Sequence, residues 1–162
     1  MYNYITKELP PLLDASVPLL VGVKSVRGHS IGRHGAIICA LESASNYKSV
    51  SALSPICSPV NFVWGIGCFE AYLGDDANAW QAYDATALID AGAKFVDILI
   101  DQGTADEFYD EKQLLPENFL AACERTGQAV TLRMQDDYDH SYHFIASFIG
   151  EHIAYHAKAL KA

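Results

Sequence analysis

Residues 21–41 read Val21-Gly22-Val23-Lys24-Ser25-Val26-Arg27-Gly28-His29-Ser30-Ile31-Gly32-Arg33-His34-Gly35-Ala36-Ile37-Ile38-Cys39-Ala40-Leu41. The β-branched run over residues 21–27, punctuated by glycine, predicts a buried strand that stops abruptly at Gly28. The apolar stretch over residues 35–41 predicts a helix. Between them, Gly28-His29-Ser30-Ile31-Gly32 fits G-x-S-x-G, a sharp strand-to-helix turn that presents a serine hydroxyl. So tight a turn is expected to crowd the positions two before and two after the serine, which would require glycine at both 28 and 32. Three fixed letters match by chance in about one chain in twenty of this size, so the flanking strand and helix carry the weight.

On the amino-terminal side, residues 2–15 space Ile5, Leu9, Leu12 and Leu13 for an amphipathic helix, bent at Pro10-Pro11 and ended before Pro18. Residues 50–54 read as a strand broken by Pro55 and Pro59, and residues 61–67 as a loop able to wall a pocket. Short helices are expected over residues 69–73 and 80–89. Residues 95–100, Phe95-Val96-Asp97-Ile98-Leu99-Ile100, form the clearest strand signal, with Asp101-Gln102-Gly103 ending it. A helix over residues 116–125 closed by Gly127, a strand over 130–134 and a long amphipathic helix over 142–160 complete the pattern. Strands alternating with helices imply an α/β fold: a mostly parallel sheet with helices on both faces, in a single domain spanning 1–162 without repeat or linker.

The chain has 162 residues, 51% of them hydrophobic and 19% charged, which excludes a disordered tail. A domain of this length buries roughly 68–70% of its unfolded surface and needs no disulfide or metal staple. Its formal net charge of −9 would repel phosphate backbones and anionic lipid, so neither nucleic acid nor membrane is an expected partner. Cys39, Cys57, Cys68 and Cys123 form no C-x-x-C pair, which argues against a zinc ribbon or redox motif. The apolar run at residues 19–23 is far too short to span a bilayer, and the first residues lack the regions of a signal peptide. A soluble, cytoplasmic protein is expected.

Ligands of parallel sheets bind beyond the carboxyl ends of the strands. The polar residues there are Ser30, Asp106 and His140. A serine hydroxyl becomes a nucleophile when an imidazole takes its proton and a carboxylate orients the imidazole, and the three residues occur in the order Ser, Asp, His. Other sets are weaker. His152 and His156 are i, i+4 neighbours without an arranged acidic ligand, so an exposed helix face is expected rather than a metal grip. His29 and His34 flank the serine and read as structural. Asp136, Asp137 and Asp139 lack the glycine and glutamate of a calcium loop and read as a solvated turn. Cys57 and Cys68 have no evident partner histidine and read as small hydrophobes. No metal site is expected.

The chain resembles S-formylglutathione hydrolases, the esterase D family of the α/β-hydrolase fold, nearly end to end. The resemblance rests on Tyr2-Asn3-Tyr4 with Glu8-Leu9-Pro10, Gly28-His29-Ser30 with His34-Gly35-Ala36, and Tyr47-Lys48-Ser49-Val50-Ser51-Ala52. It continues in Tyr72-Leu73-Gly74, Tyr83-Asp84-Ala85, Asp97-Ile98-Leu99-Ile100-Asp101-Gln102-Gly103, Gln113-Leu114-Leu115-Pro116 and Tyr138-Asp139-His140-Ser141-Tyr142. It implies Ser30 as nucleophile, Asp106 as orienting acid, His140 as general base and the Ile31 backbone N–H as an oxyanion donor, with no cofactor. The implied substrate is a small thioester or ester, S-formylglutathione being hydrolysed to glutathione and formate in formaldehyde removal.

The chain also departs from the family pattern. The chain is expected to correspond to the C-terminal portion of the family's domain, without the N-terminal strands and the loop that would carry a second oxyanion donor. That leaves the strand before Ser30 on an open edge, from which self-association into a homo-oligomer is expected. Arg33 stands where the family pattern has a second glycine, Ile31 replaces a methionine, and a proline and basic residues around Val63-Trp64-Gly65-Ile66-Gly67-Cys68 are replaced. The alternative expectation is a catalytically impaired homologue acting as a binding or assembly module.

Overall fold

The computed structural model describes the backbone of all 162 residues and every side chain except that of Arg33. Four parallel strands lie side by side in chain order: β1 (Val26–His29), β2 (Val50–Leu53), β3 (Ile98–Gly103) and β4 (Val130–Gln135). Their register sets Val26 opposite Val50, Ala52 opposite Ile100 and Asp101 opposite Arg133. Every residue of β3 is buried, as an inner strand covered on both faces requires.

Side-chain alternation along the strands separates two faces. One presents Val50, Ala52, Ile98 and Ile100, which join Ile37 and Ala40 of α2 (Ile31–Glu42) in the core. Ile89 of α5 (Ala85–Asp90) and Phe119 and Ala122 of α7 (Pro116–Thr126) complete that layer. The other face presents Ser51, Asp101 and Arg133 to the final helix, α8 (Tyr142–Leu160). Helices therefore lie on both sides of the sheet, as the alternation of patterns predicts. Among the described residues no helix is long and apolar enough to cross a membrane.

The amino-terminal helix begins as a π-helical stretch, Tyr4–Glu8, and continues as α1 (Leu9–Ser16). Pro10 and Pro11 cannot donate to carbonyls a turn earlier, and the widened turn, closed by Leu9 N–H on Tyr4 O, sits directly before them. The strand expected over residues 21–27 begins only at Val26. Residues 21–22 form a turn, because Gly22 adopts φ 78° and Val23 N–H bonds to Leu20 O.

The loop expected over residues 61–67 is instead mostly helix, α3 (Val63–Leu73). Gly65 breaks no structure there. A Cβ at this position would overlap the backbone of Pro59, so the glycine lets α3 lie against the short helical turn at Pro59–Asn61. The strand expected over residues 95–100 runs from Ile98 and includes Asp101-Gln102-Gly103 rather than ending before them, since their backbone pairs with Arg133, Met134 and Gln135. The expected helix over residues 80–89 divides into α4 (Ala77–Trp80), a 3-10 turn and α5, whose N-cap is the Asp84 carboxylate on Ala87 N–H. One more short helix, α6 (Glu107–Asp110), follows β3.

Candidate active site

Ser30 is the first residue after β1 and the N-cap of α2. Its backbone adopts φ 53° and ψ −123°, a conformation that costs a side-chain-bearing residue on the order of 1–3 kcal/mol. A serine at an N-cap ordinarily turns its hydroxyl onto the helix's own N–H groups. Ser30 makes no such bond. The turn aims its Oγ away from α2, where it donates to His140 Nε2 at 3.0 Å.

Asp106 lies three residues past β3, completely buried, and is itself the N-cap of α6. Its Oδ1 accepts from the backbone N–H of Phe108 at 2.9 Å and of Tyr109 at 3.4 Å. Its Oδ2 accepts from His140 Nδ1 at 2.6 Å. Burial pushes the Asp106 carboxyl up, but the His140 hydrogen bond and charge, with Ser54 and Gln102, outweigh it and hold the acid below the usual carboxylate range.

The loop that carries His140 is tied to the end of β3. Thr104 N–H bonds to Gln135 O, Ala105 N–H to Tyr138 O, and Asp137 N–H to Thr104 Oγ1. Gly103 allows this closeness, since a Cβ there would overlap the Tyr138 backbone. The His140 ring is held between His29, with centroids 5.1 Å apart, and the edge-on ring of Phe108 at 4.8 Å. All three candidates chosen from the sequence thus meet in one hydrogen-bonded line, brought there from beyond the ends of three different strands.

Beside the serine is a cavity of about 200 Å³ lined by Ser30, Ile31, Trp64, Phe108 and Leu114, with Gln113 as a polar member. Ile31 begins α2, so its N–H belongs to the set that an α-helix leaves without an intrahelical acceptor, at the positive end of the helix dipole. The crowding expected at Gly32 is not found, since a Cβ there would meet no atom within 4 Å. The Arg33 side chain lies outside the described residues. His34 supports the cavity wall by bonding through Nδ1 to Ile56 O at 3.0 Å, and its burial lowers its pKa. Cys57 is completely buried, which raises its thiol pKa well above the ordinary value, whereas Cys68 is half-buried. Asp136, Asp137 and Asp139 are exposed. Among the described residues no three His, Cys, Asp or Glu side chains converge on a metal position.

The placement of His152 and His156 corrects the sequence reading. Both are buried rather than exposed. They complete a hydrogen-bonded line across the α8 face of the sheet. Ser49 Oγ meets His156 Nδ1, His156 Nε2 meets Ser51 Oγ, Ser51 Oγ meets His152 Nδ1, and His152 Nε2 donates to Asp101 Oδ2, each at 2.7–2.8 Å. Arg133 binds Asp101 with two nitrogens, at 2.6 and 2.5 Å. Burial pushes the Asp101 carboxyl up, yet its bonds to His152, Arg133 and Gln135 bring it down to about 2. The signal was legible: residues 144, 148, 152 and 156 recur every four positions, so the histidines continue the stripe of Phe144 and Phe148 toward the sheet.

The Esterase family model matches residues 2–155. An S-formylglutathione hydrolase of Mus musculus is 53% identical over all of this chain, which covers 58% of that protein. The Arabidopsis thaliana S-formylglutathione hydrolase is 48% identical over 99% of the chain and 57% of its own length. A solved S-formylglutathione hydrolase from Agrobacterium tumefaciens superposes with a TM-score of 0.95 at 45% identity, covering 99% of this chain and 57% of that structure. The chain therefore spans somewhat over half the length of the relatives it matches. With this fold, these strand ends and these relatives, the chain belongs to the esterase family and carries part of its α/β-hydrolase fold.

Proposed function

We propose that the chain carries the serine-hydrolase site of an S-formylglutathione hydrolase, cleaving the thioester to glutathione and formate in cytoplasmic formaldehyde removal. The observation that carries this reading is the unbroken line Ser30 Oγ, His140 Nε2, His140 Nδ1, Asp106 Oδ2, at 3.0 and 2.6 Å, opening on a small apolar cavity. A cavity of about 200 Å³ suits a short acyl group, with a larger leaving group extending outward. The names of the full-length relatives supply the substrate.

In this reading Ser30 Oγ attacks the formyl carbon as His140 Nε2 takes the hydroxyl proton, and Asp106 holds the imidazolium through Nδ1. The Ile31 N–H and the positive end of α2 stabilise the negative oxygen of the tetrahedral intermediate. Collapse breaks the carbon–sulfur bond, and the departing thiolate takes the proton from His140. Water then attacks the formyl ester while His140 accepts its proton. Formate leaves as that proton returns to Ser30 Oγ.

Hydrolysis of S-formylglutathione and of 4-nitrophenyl acetate by the purified chain, beside Ser30→Ala, tests the proposal. The variant is expected to lose at least about a thousandfold in turnover while keeping its circular dichroism spectrum. A folded wild-type chain that neither turns over nor reacts with a fluorophosphonate at Ser30 would replace this reading with that of a binding or assembly module.

A further inference from the structure

Gln102, on β3, is completely buried. Its Nε2 donates to Asp106 Oδ2 at 3.1 Å, the same oxygen that accepts from His140 Nδ1, and also to Gly103 O at 3.0 Å. Its own Oε1 is buried and meets no hydrogen-bond donor among the described residues. A buried amide oxygen left without a donor is destabilising, and turning the amide over would exchange the two ends. The reversed amide would set its carbonyl oxygen against the Asp106 carboxylate and the Gly103 carbonyl. Asp106 therefore dictates the amide's orientation, at the expense of the amide's own oxygen.

The two Asp106 oxygens are held differently. Oδ1 is fixed by the first turn of α6, whereas Oδ2 is shared between one side-chain amide and His140. Ser54, buried past the end of β2 with φ 50°, adds a hydroxyl dipole near this carboxylate without closing a hydrogen bond of good geometry. A second donor on Oδ2 fixes the direction in which that oxygen faces. It also withdraws charge from the bond to the imidazole.

We infer that Gln102 is a positioning residue for the Asp106–His140 pair, holding Oδ2 in line with Nδ1 and limiting how strongly the acid retains the imidazolium. The inference rests on the proposed hydrolytic reading of the site. Gln102 is not among the residues that line the cavity, so its effect belongs to kcat and not to KM.

Gln102→Met keeps the length, removes the donor and removes the orphaned oxygen. Its kcat on 4-nitrophenyl acetate is expected to fall about tenfold, the value of one hydrogen bond to a charged group, with KM unchanged. The acidic limb of its pH profile is expected to move to higher pH, because an acid without the competing donor holds the imidazolium more tightly. Its melting temperature is expected to stay level or rise. A purely structural glutamine would give the opposite pairing, with stability lost and the pH limb unmoved, and that result overturns the inference. A low-field proton resonance of His140 Nδ1, recognised by its loss in His140→Ala, is read in parallel and does not require turnover. Its displacement in Gln102→Met supports the inference even if the hydrolytic reading fails, and an unmoved resonance overturns it.

Discussion

Ser30 and Gly103 show how single backbone positions decide this site. The strained turn at Ser30 frees its hydroxyl from capping α2, and the missing side chain at Gly103 lets the Tyr138 backbone approach β3. Gly103→Ala would place Cβ 2.8 Å from the Tyr138 carbonyl carbon, so the loop carrying His140 must move. This substitution is expected to lower unfolding free energy by about 2–3 kcal/mol in urea titration and to slow fluorophosphonate labelling of Ser30. Gly32→Ala is the control. Its Cβ meets no atom within 4 Å and its helix propensity improves, so stability should be unchanged or higher by up to about 1 kcal/mol. A loss at Gly32 as large as at Gly103 would refute this reading of the turn.

The attachment of α8 to the sheet runs through two protonatable side chains. The helix begins two residues after His140 and holds to the sheet through His152 and His156. The groups facing His156 are Ser49 and Ser51 of the β2 segment, Arg27 of β1 and His152 of its own helix; Asp101, Arg133 and Glu151 complete the network. Burial, then the charges of His152 and Arg27, lower the His156 pKa from 6.5 to about 4. The unfolded chain therefore binds this proton at higher pH than the folded chain does. Stability from His156 is complete above pH 6.5 and is lost as pH falls toward 4, by roughly 3 kcal/mol in all. Asp101, lowered from 3.8 to about 2, extends the loss below pH 3.8. Melting temperature should decline between pH 6.5 and 4.5, and His156→Gln, which cannot titrate, should flatten that slope. A wild-type melting temperature level across the interval would contradict the assignment.

For the whole molecule, the sheet has β1 as an outer strand, and exposed apolar side chains gather before it at Leu19, Leu20 and Val21. A parallel sheet is ordinarily covered and its edges protected. The net charge of −9 opposes contact between copies. Self-association is therefore expected to strengthen as salt screens that charge. Sedimentation equilibrium at about 0.05 M and 0.5 M salt should show larger species at the higher value, whereas a clean monomer at both would refute the expectation.

Local patterns in the sequence sufficed for the order of the four strands and their alternation with helices, for the parallel α/β architecture, and for the turn that presents Ser30. The sequence also supplied the Ser, Asp, His order of the candidates that meet in the structure. These follow from short-range physics: hydrophobic period, the dihedral freedom of glycine and proline, and the few residues compatible with a strand-to-helix turn. Long-range packing was needed to set where β1 and β3 begin, to extend the helix expected over residues 69–73 back to Val63, and to use Gly65 for close approach instead of a loop. It alone buried His152 and His156 against Asp101 and turned the Gln102 amide toward Asp106. Those outcomes depend on the register and layering that bring Ser51 to a helix about a hundred residues away, and on buried polar groups finding partners that no local pattern identifies.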